Sequence, residues 1–128
     1  MKVLIIEDEE VLAKVLKEEF TNEHFEVALV MNGDEALARI KSFHPDIILL
    51  DLILPKKDGL EILQELKADT WLSGIPVIII SNLGDTEHIK NGLALGAAAY
   101  LVKSQHSLSE IVAIVRQQLM KEKKPTNF

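Results

Sequence analysis

The stretch "IILLDLILPKKDG", residues 47–59, runs through four apolar residues and then puts Asp51 where the next buried residue is due. A short apolar run with a polar stop reads as a strand buried on both faces, as in a parallel sheet. Similar runs recur at Val3 to Ile6, Val27 to Val30, Val77 to Ile80 and Tyr100 to Val102. Between them apolar residues recur at helical spacing: Leu12, Val15, Leu16 and Phe20; Ala36, Leu37 and Ile40; Ile62, Leu63 and Leu66; Ile89 and Leu93; Leu108, Ile111, Val112, Val115 and Leu119. Five strand–helix units in strict alternation predict an α/β domain, a doubly wound parallel sheet with helices on both faces.

Local signals agree with that alternation. Asn32 with Glu35 and Ser107 with Glu110 have capping-box spacing, and His44-Pro45 and Gly96 sit where helices should stop. The segment from Asp85 to Leu95 is the weakest helix, since Gly92 inside it costs about 1 kcal/mol relative to alanine. Trp71, between the third helix and the fourth strand, reads as a hydrophobic loop anchor.

The 128 residues have room for one domain, expected over 1–122, with 123–128 as a polar tail in which Pro125 blocks the last helix. Fourteen basic against twenty acidic residues give a net charge of -6, which argues against direct nucleic-acid binding or membrane adhesion. With no cysteine, disulfides and thiolate metal sites are excluded. "MKVLII" meets the acidic "EDEE" too soon for a signal peptide or membrane span, so a cytoplasmic location is expected. His24, His44, His88 and His106 are scattered singly, without metal-ligand spacing.

In a parallel sheet all strands point one way, so their polar ends share one edge. The first ends at Glu7-Asp8, the third at Asp51, the fourth at Ser81-Asn82 and the fifth at Lys103. Two carboxylates about 5 Å apart repel by about 3 kcal/mol at an effective dielectric near 20, so a cation should lie between them. Oxygen ligands in an open cage fit Mg²⁺ best, with Mn²⁺ as an acceptable substitute. A carboxylate screened in this way can attack phosphorus, with Lys103 and the Ser81 hydroxyl serving the transferred group.

From "VLIIEDEE" through "DIILLDLILPKKDGLEIL" and "IPVIIISN" to "GAAAYLVK", the chain resembles the receiver domains of two-component response regulators. The resemblance implies a flavodoxin-like sheet of order 2-1-3-4-5 and phosphorylation of Asp51 by a sensor histidine kinase or histidine phosphotransfer protein. It implies that Asp8, Asp51 and the backbone carbonyl of Ile53 ligate Mg²⁺, with Glu7 acting through a coordinated water. Ser81 and Lys103 would bind phosphoryl oxygens, and Tyr100 would change rotamer as Ser81 moves inward. The readout would be the face of helix 4, strand 5 and helix 5, offered to a downstream effector or to a second copy in a phosphorylation-dependent homodimer.

Three features depart from that family pattern. Ser104 follows Lys103 where most receivers have proline, which predicts a trans bond and a rerouted loop to Ser107. Asn82 is larger than the residue that usually follows the serine, and Ile53 and Leu83 are apolar where side chains influence an attacking water. Two other functions remain open: a haloacid-dehalogenase-like Mg²⁺ phosphohydrolase, and a phosphorylation-independent interaction module. The former resemble one another in an Asp-x-Asp motif closing the first strand, whereas the nucleophile here closes the third.

Overall fold

The computed structural model describes residues 1–123. The strands are β1 (Lys2–Ile6), β2 (Glu26–Val30), β3 (Ile47–Leu50), β4 (Val77–Ser81) and β5 (Ala99–Val102). The helices are α1 (Glu10–Asn22), α2 (Ala36–Phe43), α3 (Gly59–Ala68), α4 (Thr86–Ala94) and α5 (Leu108–Lys123). All strand pairs are parallel and the order is β2-β1-β3-β4-β5, as the resemblance implies.

Alternation along each strand splits the interior into two cores. Leu4, Ile6, Ile48, Leu50, Val77 and Ile79 pack with Ala36, Ile40, Ile62, Leu63 and Leu66 from α2 and α3. Val3, Ile5, Ile47, Leu49, Ile78 and Ile80 pack on the other face with Leu16 and Phe20 of α1 and Ile111, Val112, Val115 and Leu119 of α5. Every residue of β3 is buried, as its position between β1 and β4 requires. At about 1.5–3 kcal/mol for each large apolar side chain buried, these two layers outweigh any single polar contact in the molecule.

The expected caps form. Asn32 Oδ1 accepts from the Glu35 amide at 3.1 Å, opening a 3₁₀ turn over Gly33–Glu35 before α2. At α5, Ser107 Oγ accepts from the Glu110 amide at 3.2 Å and Glu110 accepts from the Ser107 amide at 2.7 Å. His44 ends α2 in the left-handed region, φ 55°, and Gly96 follows α4 at φ 105°. The tail's Pro125 lies outside the described residues.

Three expectations need correction. Val15 is exposed, because the buried line of α1 runs through Ala13, Leu16 and Phe20 instead. Leu93 is also exposed; α4 meets the sheet through Gly92, where an added Cβ would lie 2.7 Å from Ile79 Cδ1 and 3.1 Å from the Tyr100 ring. The glycine thus permits a close approach that a larger residue would obstruct. Trp71 is not an anchor, being 90% exposed. Asp69 Oδ1 accepts from the amides of Trp71 and Leu72, and the turn it forms points Leu72 inward and leaves the indole in solvent.

Gly59 links the fold to the end of β3. Its amide donates to Leu52 O at 2.8 Å, and a Cβ there would lie 2.3 Å from Asp51 O and 2.6 Å from Leu52 Cα. Both obstacles are backbone, so neither can rotate away. Gly59→Ala is expected to destabilise the domain by about 1–3 kcal/mol, measured by urea unfolding. An unchanged midpoint would show that β3 and α3 are not rigidly seated.

Candidate functional site

Each strand delivers its polar end to one edge through the backbone ladder. The Glu7 amide donates to Val30 O at 2.9 Å, and the Asp51 amide to Ile6 O at 3.0 Å. These bonds extend the β1–β2 and β1–β3 pairings by one residue. Carboxylate oxygens of Glu7, Asp8 and Asp51 consequently lie within 4.8 Å of one another. Glu7 is fully buried and Asp51 is 4% exposed, while Asp8 opens to solvent.

Lys103 begins a 3₁₀ turn, Lys103–Gln105, directly after β5, and there is no cis peptide bond among the described residues. The trans link to Ser104 is therefore as expected. Lys103 Nζ lies 2.8 Å from Glu7 Oε1, 2.9 Å from Glu9 Oε2 and 3.1 Å from Asp51 Oδ2. Burial would lower the affinity of this ammonium for its proton. Pairing with Glu7 and Glu9 and the charge of Asp51 outweigh it, holding Lys103 well above its ordinary range.

Burial acts in the other direction on Glu7, raising its carboxyl above the usual carboxylate range despite the opposing contacts from Lys103 and the Glu9 amide. The Glu9 amide donates to Glu7 Oε2 at 3.0 Å. The Lys103–Glu7 contact meets ion-pair distance but not hydrogen-bond geometry, so buried Oε1 has a charge beside it and no donor aimed at it. A carboxylate oxygen left in that condition, beside two further acids, fits a cation. Asp8, Asp51 and Glu7 have the hard oxygen donors that Mg²⁺ or Mn²⁺ takes.

Asp8, Asp51 and Lys103 line a cavity of about 250 Å³ together with Glu9, Ile53 and Asn82. Ile53 presents an exposed side chain, and its amide donates to Asp51 Oδ1 at 3.3 Å. Ser81 is not brought into this cavity: it is fully buried, and its Oγ accepts from the Leu83 amide at 3.1 Å. The Tyr100 phenol donates to Leu83 O, so both side chains restrain the same residue of the β4–α4 loop. Burial, ahead of the nearby acids, raises the Tyr100 hydroxyl above its ordinary range. Glu9 is the site residue that sequence reasoning passed over. Its signal was a third acid in "EDEE", but its partner lies 94 residues away. A wider cleft of about 330 Å³, lined by Met1, Phe25 and Arg116 among others, lies elsewhere; its Arg116 is already bonded to Glu23.

Sheets of this order take ligands beyond the carboxyl ends of their strands, and here that edge of a doubly wound domain carries acids suited to a cation beside a lysine. The chain belongs to the response regulator receiver domain family of two-component signalling, whose model matches residues 3–116. It is 34% identical over 118 residues to the DNA-binding response regulator MtrA of Mycolicibacterium paratuberculosis, covering 92% of this chain and 51% of that protein. The chain thus spans about half the length of the curated relatives it matches. The phosphorylated cyanobacterial phytochrome response regulator RcpA superposes with a TM-score of 0.79 at 34% identity, over 93% of this chain and 91% of that one. The Mn²⁺-bound form of the response regulator Rcp1 superposes at 0.78 with 25% identity, over 98% and 96%.

A pH dependence follows from buried Glu7. Because its folded-state affinity for a proton is raised, ionising it costs stability: the cost is absent below its ordinary value of 4.5 and complete above the raised folded value. Without metal, Glu7→Gln is expected to melt higher than the parent at pH 7, with the gap closing toward pH 4. Saturating Mg²⁺ should stabilise the parent more than the variant, since binding to the folded state adds stability by mass action. A variant that melts lower throughout, in calorimetry, would contradict this reading of Glu7.

Proposed function

We propose that the domain is a phospho-acceptor switch in which Asp51 takes a phosphoryl group from the phosphohistidine of a sensor histidine kinase or histidine phosphotransfer protein. The observation that carries this is a nearly buried Asp51 with Lys103 3.1 Å from one oxygen and two further acids within 4.8 Å. A phosphorylated structural relative and a Mn²⁺-bound one support the same chemistry.

In this reading the Asp51 oxygen forms a bond to phosphorus as the phosphorus–nitrogen bond of the donor histidine breaks, and the imidazole leaves with a proton. Asp8, Asp51, the Ile53 carbonyl and, through a water, Glu7 would hold Mg²⁺, which would supply charge neutralisation for the acids and the incoming phosphoryl oxygens. Lys103 supplies a fixed ammonium for one phosphoryl oxygen. Ser81 supplies a hydroxyl donor once it releases the Leu83 amide. That release frees one of the two restraints on Leu83, the other being Tyr100, and so connects the acyl phosphate to the β4–α4 loop. The switch is read by an effector or a second copy on the α4–β5–α5 face, and it operates in the cytoplasm. No described helix is long and apolar enough to cross a membrane. The net charge of -6 turns direct nucleic-acid binding away from this domain.

Acetyl phosphate with Mg²⁺ is expected to phosphorylate the protein at Asp51, located by mass spectrometry, and Asp51→Asn or chelation by EDTA should abolish the modification. Label persisting in Asp51→Asn would refute the assignment. The acyl phosphate should last minutes or longer, because Ile53 and Leu83 offer no polar group to orient an attacking water. A lifetime of seconds would show that another group performs that task.

A further inference from the structure

After β1 the acids read as metal ligands end at Asp8, yet the next residue, Glu9, lines the same cavity. Glu9 Oε2 accepts a hydrogen bond from Lys103 Nζ at 2.9 Å, joining the start of α1 to the turn after β5. An ammonium has three donor positions, and here it meets three carboxylates: Glu7, Glu9 and Asp51. Hydrogen bonds to Glu9 and Asp51 take two of those positions, and buried Glu7 Oε1 crowds the nitrogen at 2.8 Å. Resting on the phospho-acceptor reading above, we infer that Glu9 is a positioning residue, a latch that holds Lys103 across the pocket mouth and competes with an Asp51 phosphoryl group for its ammonium.

The geometry decides which carboxylate yields. Glu7 is fully buried, so separating it from the ammonium would strand a charge away from water. Asp51 is the group being modified. The Glu9 side chain is 58% exposed and rehydrates on release. Its backbone is fixed by two bonds that release does not disturb: its amide donates to Glu7 Oε2 at 3.0 Å, and its carbonyl accepts from the Ala13 amide at 2.8 Å. The side chain therefore swings about a stationary main chain. Since Glu9 and Lys103 both line the cavity, opening the latch widens the entrance and frees the lysine in one motion. Glu9 thereby sets how strongly a phosphoryl group must bind before the domain changes state.

Two variants separate reach from charge. Glu9→Asp keeps the charge and shortens the arm by about 1.5 Å. Asp is also a preferred helix cap, and the Glu9 side chain makes no cap bond to α1, so this variant should fold at least as well as the parent. Glu9→Gln keeps the length and removes the charge. Beryllofluoride affinity in saturating Mg²⁺, and Mg²⁺ affinity alone, are read from amide shifts of Asp51, Ser81 and Lys103. The latch predicts that Glu9→Asp tightens beryllofluoride binding about three- to fivefold, the worth of one partly exposed ion pair, with Mg²⁺ affinity unchanged. Glu9→Gln should tighten it at least as much. If Glu9→Asp binds beryllofluoride as the parent does while Glu9→Gln binds more tightly, Glu9 acts only by repelling anions and the latch is overturned. Equal changes in beryllofluoride and Mg²⁺ affinity would overturn it as well. A parent that binds no beryllofluoride at all is a separate failure, that of the phospho-acceptor reading itself.

Discussion

Three carboxylates around one ammonium make the arrangement on which the rest of the site depends. Two of them, Glu7 and Asp51, also lie with Asp8 in a group whose carboxylate oxygens are within 4.8 Å of one another. A pair of ionised acids there repels by about 3 kcal/mol at an effective dielectric near 20, and the nearby cation offsets this. Lys103 meets that need in the absence of metal, bridging β1, β3 and the turn after β5. Because its compensation is incomplete, Glu7 Oε1 lacks an aimed donor. The acids are thus held in place while still favouring a second positive charge. A site of this type is ready for a divalent ion and resists collapse without it.

That arrangement requires a rigid support, which the two-faced sheet supplies. Glu7 and Asp51 are extensions of ladders whose preceding residues are buried on both sides, so their main chains cannot retreat from one another. Gly59 adds a second fixed point by letting α3 begin directly against the Asp51 peptide. Against this rigidity stands the β4–α4 loop. It is restrained through Leu83 by Ser81 and Tyr100, and α4 beyond it packs through a glycine where the other helices use large apolar side chains. Stiff acids beside a lightly held loop form a combination in which a change of charge can become a change of shape.

The alternation of apolar runs and amphipathic stretches in the sequence determined the α/β class, five strands to within a residue or two, and the caps at Asn32 and Ser107. These signals are local: strand and helix periods, and side chains that satisfy backbone groups three residues away. The acids at the ends of the first and third strands were legible for the same reason, since parallel strands must deliver their ends to one edge. Even Ser104 was readable, because a non-proline residue carries its own preference for a trans bond.

Only the tertiary structure decided which polar groups meet. Lys103 and Glu9 are 94 residues apart, and nothing in either neighbourhood encodes the contact. Ser81 ends its strand as expected, yet its hydroxyl serves Leu83 rather than the cavity. Trp71 and Leu72 carry comparable apolar weight in the sequence, and a turn at Asp69 exposed one and buried the other. Val15 and Leu93 fit helical periodicity, but periodicity reports a stripe and not the angle at which the helix settles on the sheet. Pairing, rotamer and docking angle result from packing many distant groups at once, and a one-dimensional pattern records only the preferences that enter that balance.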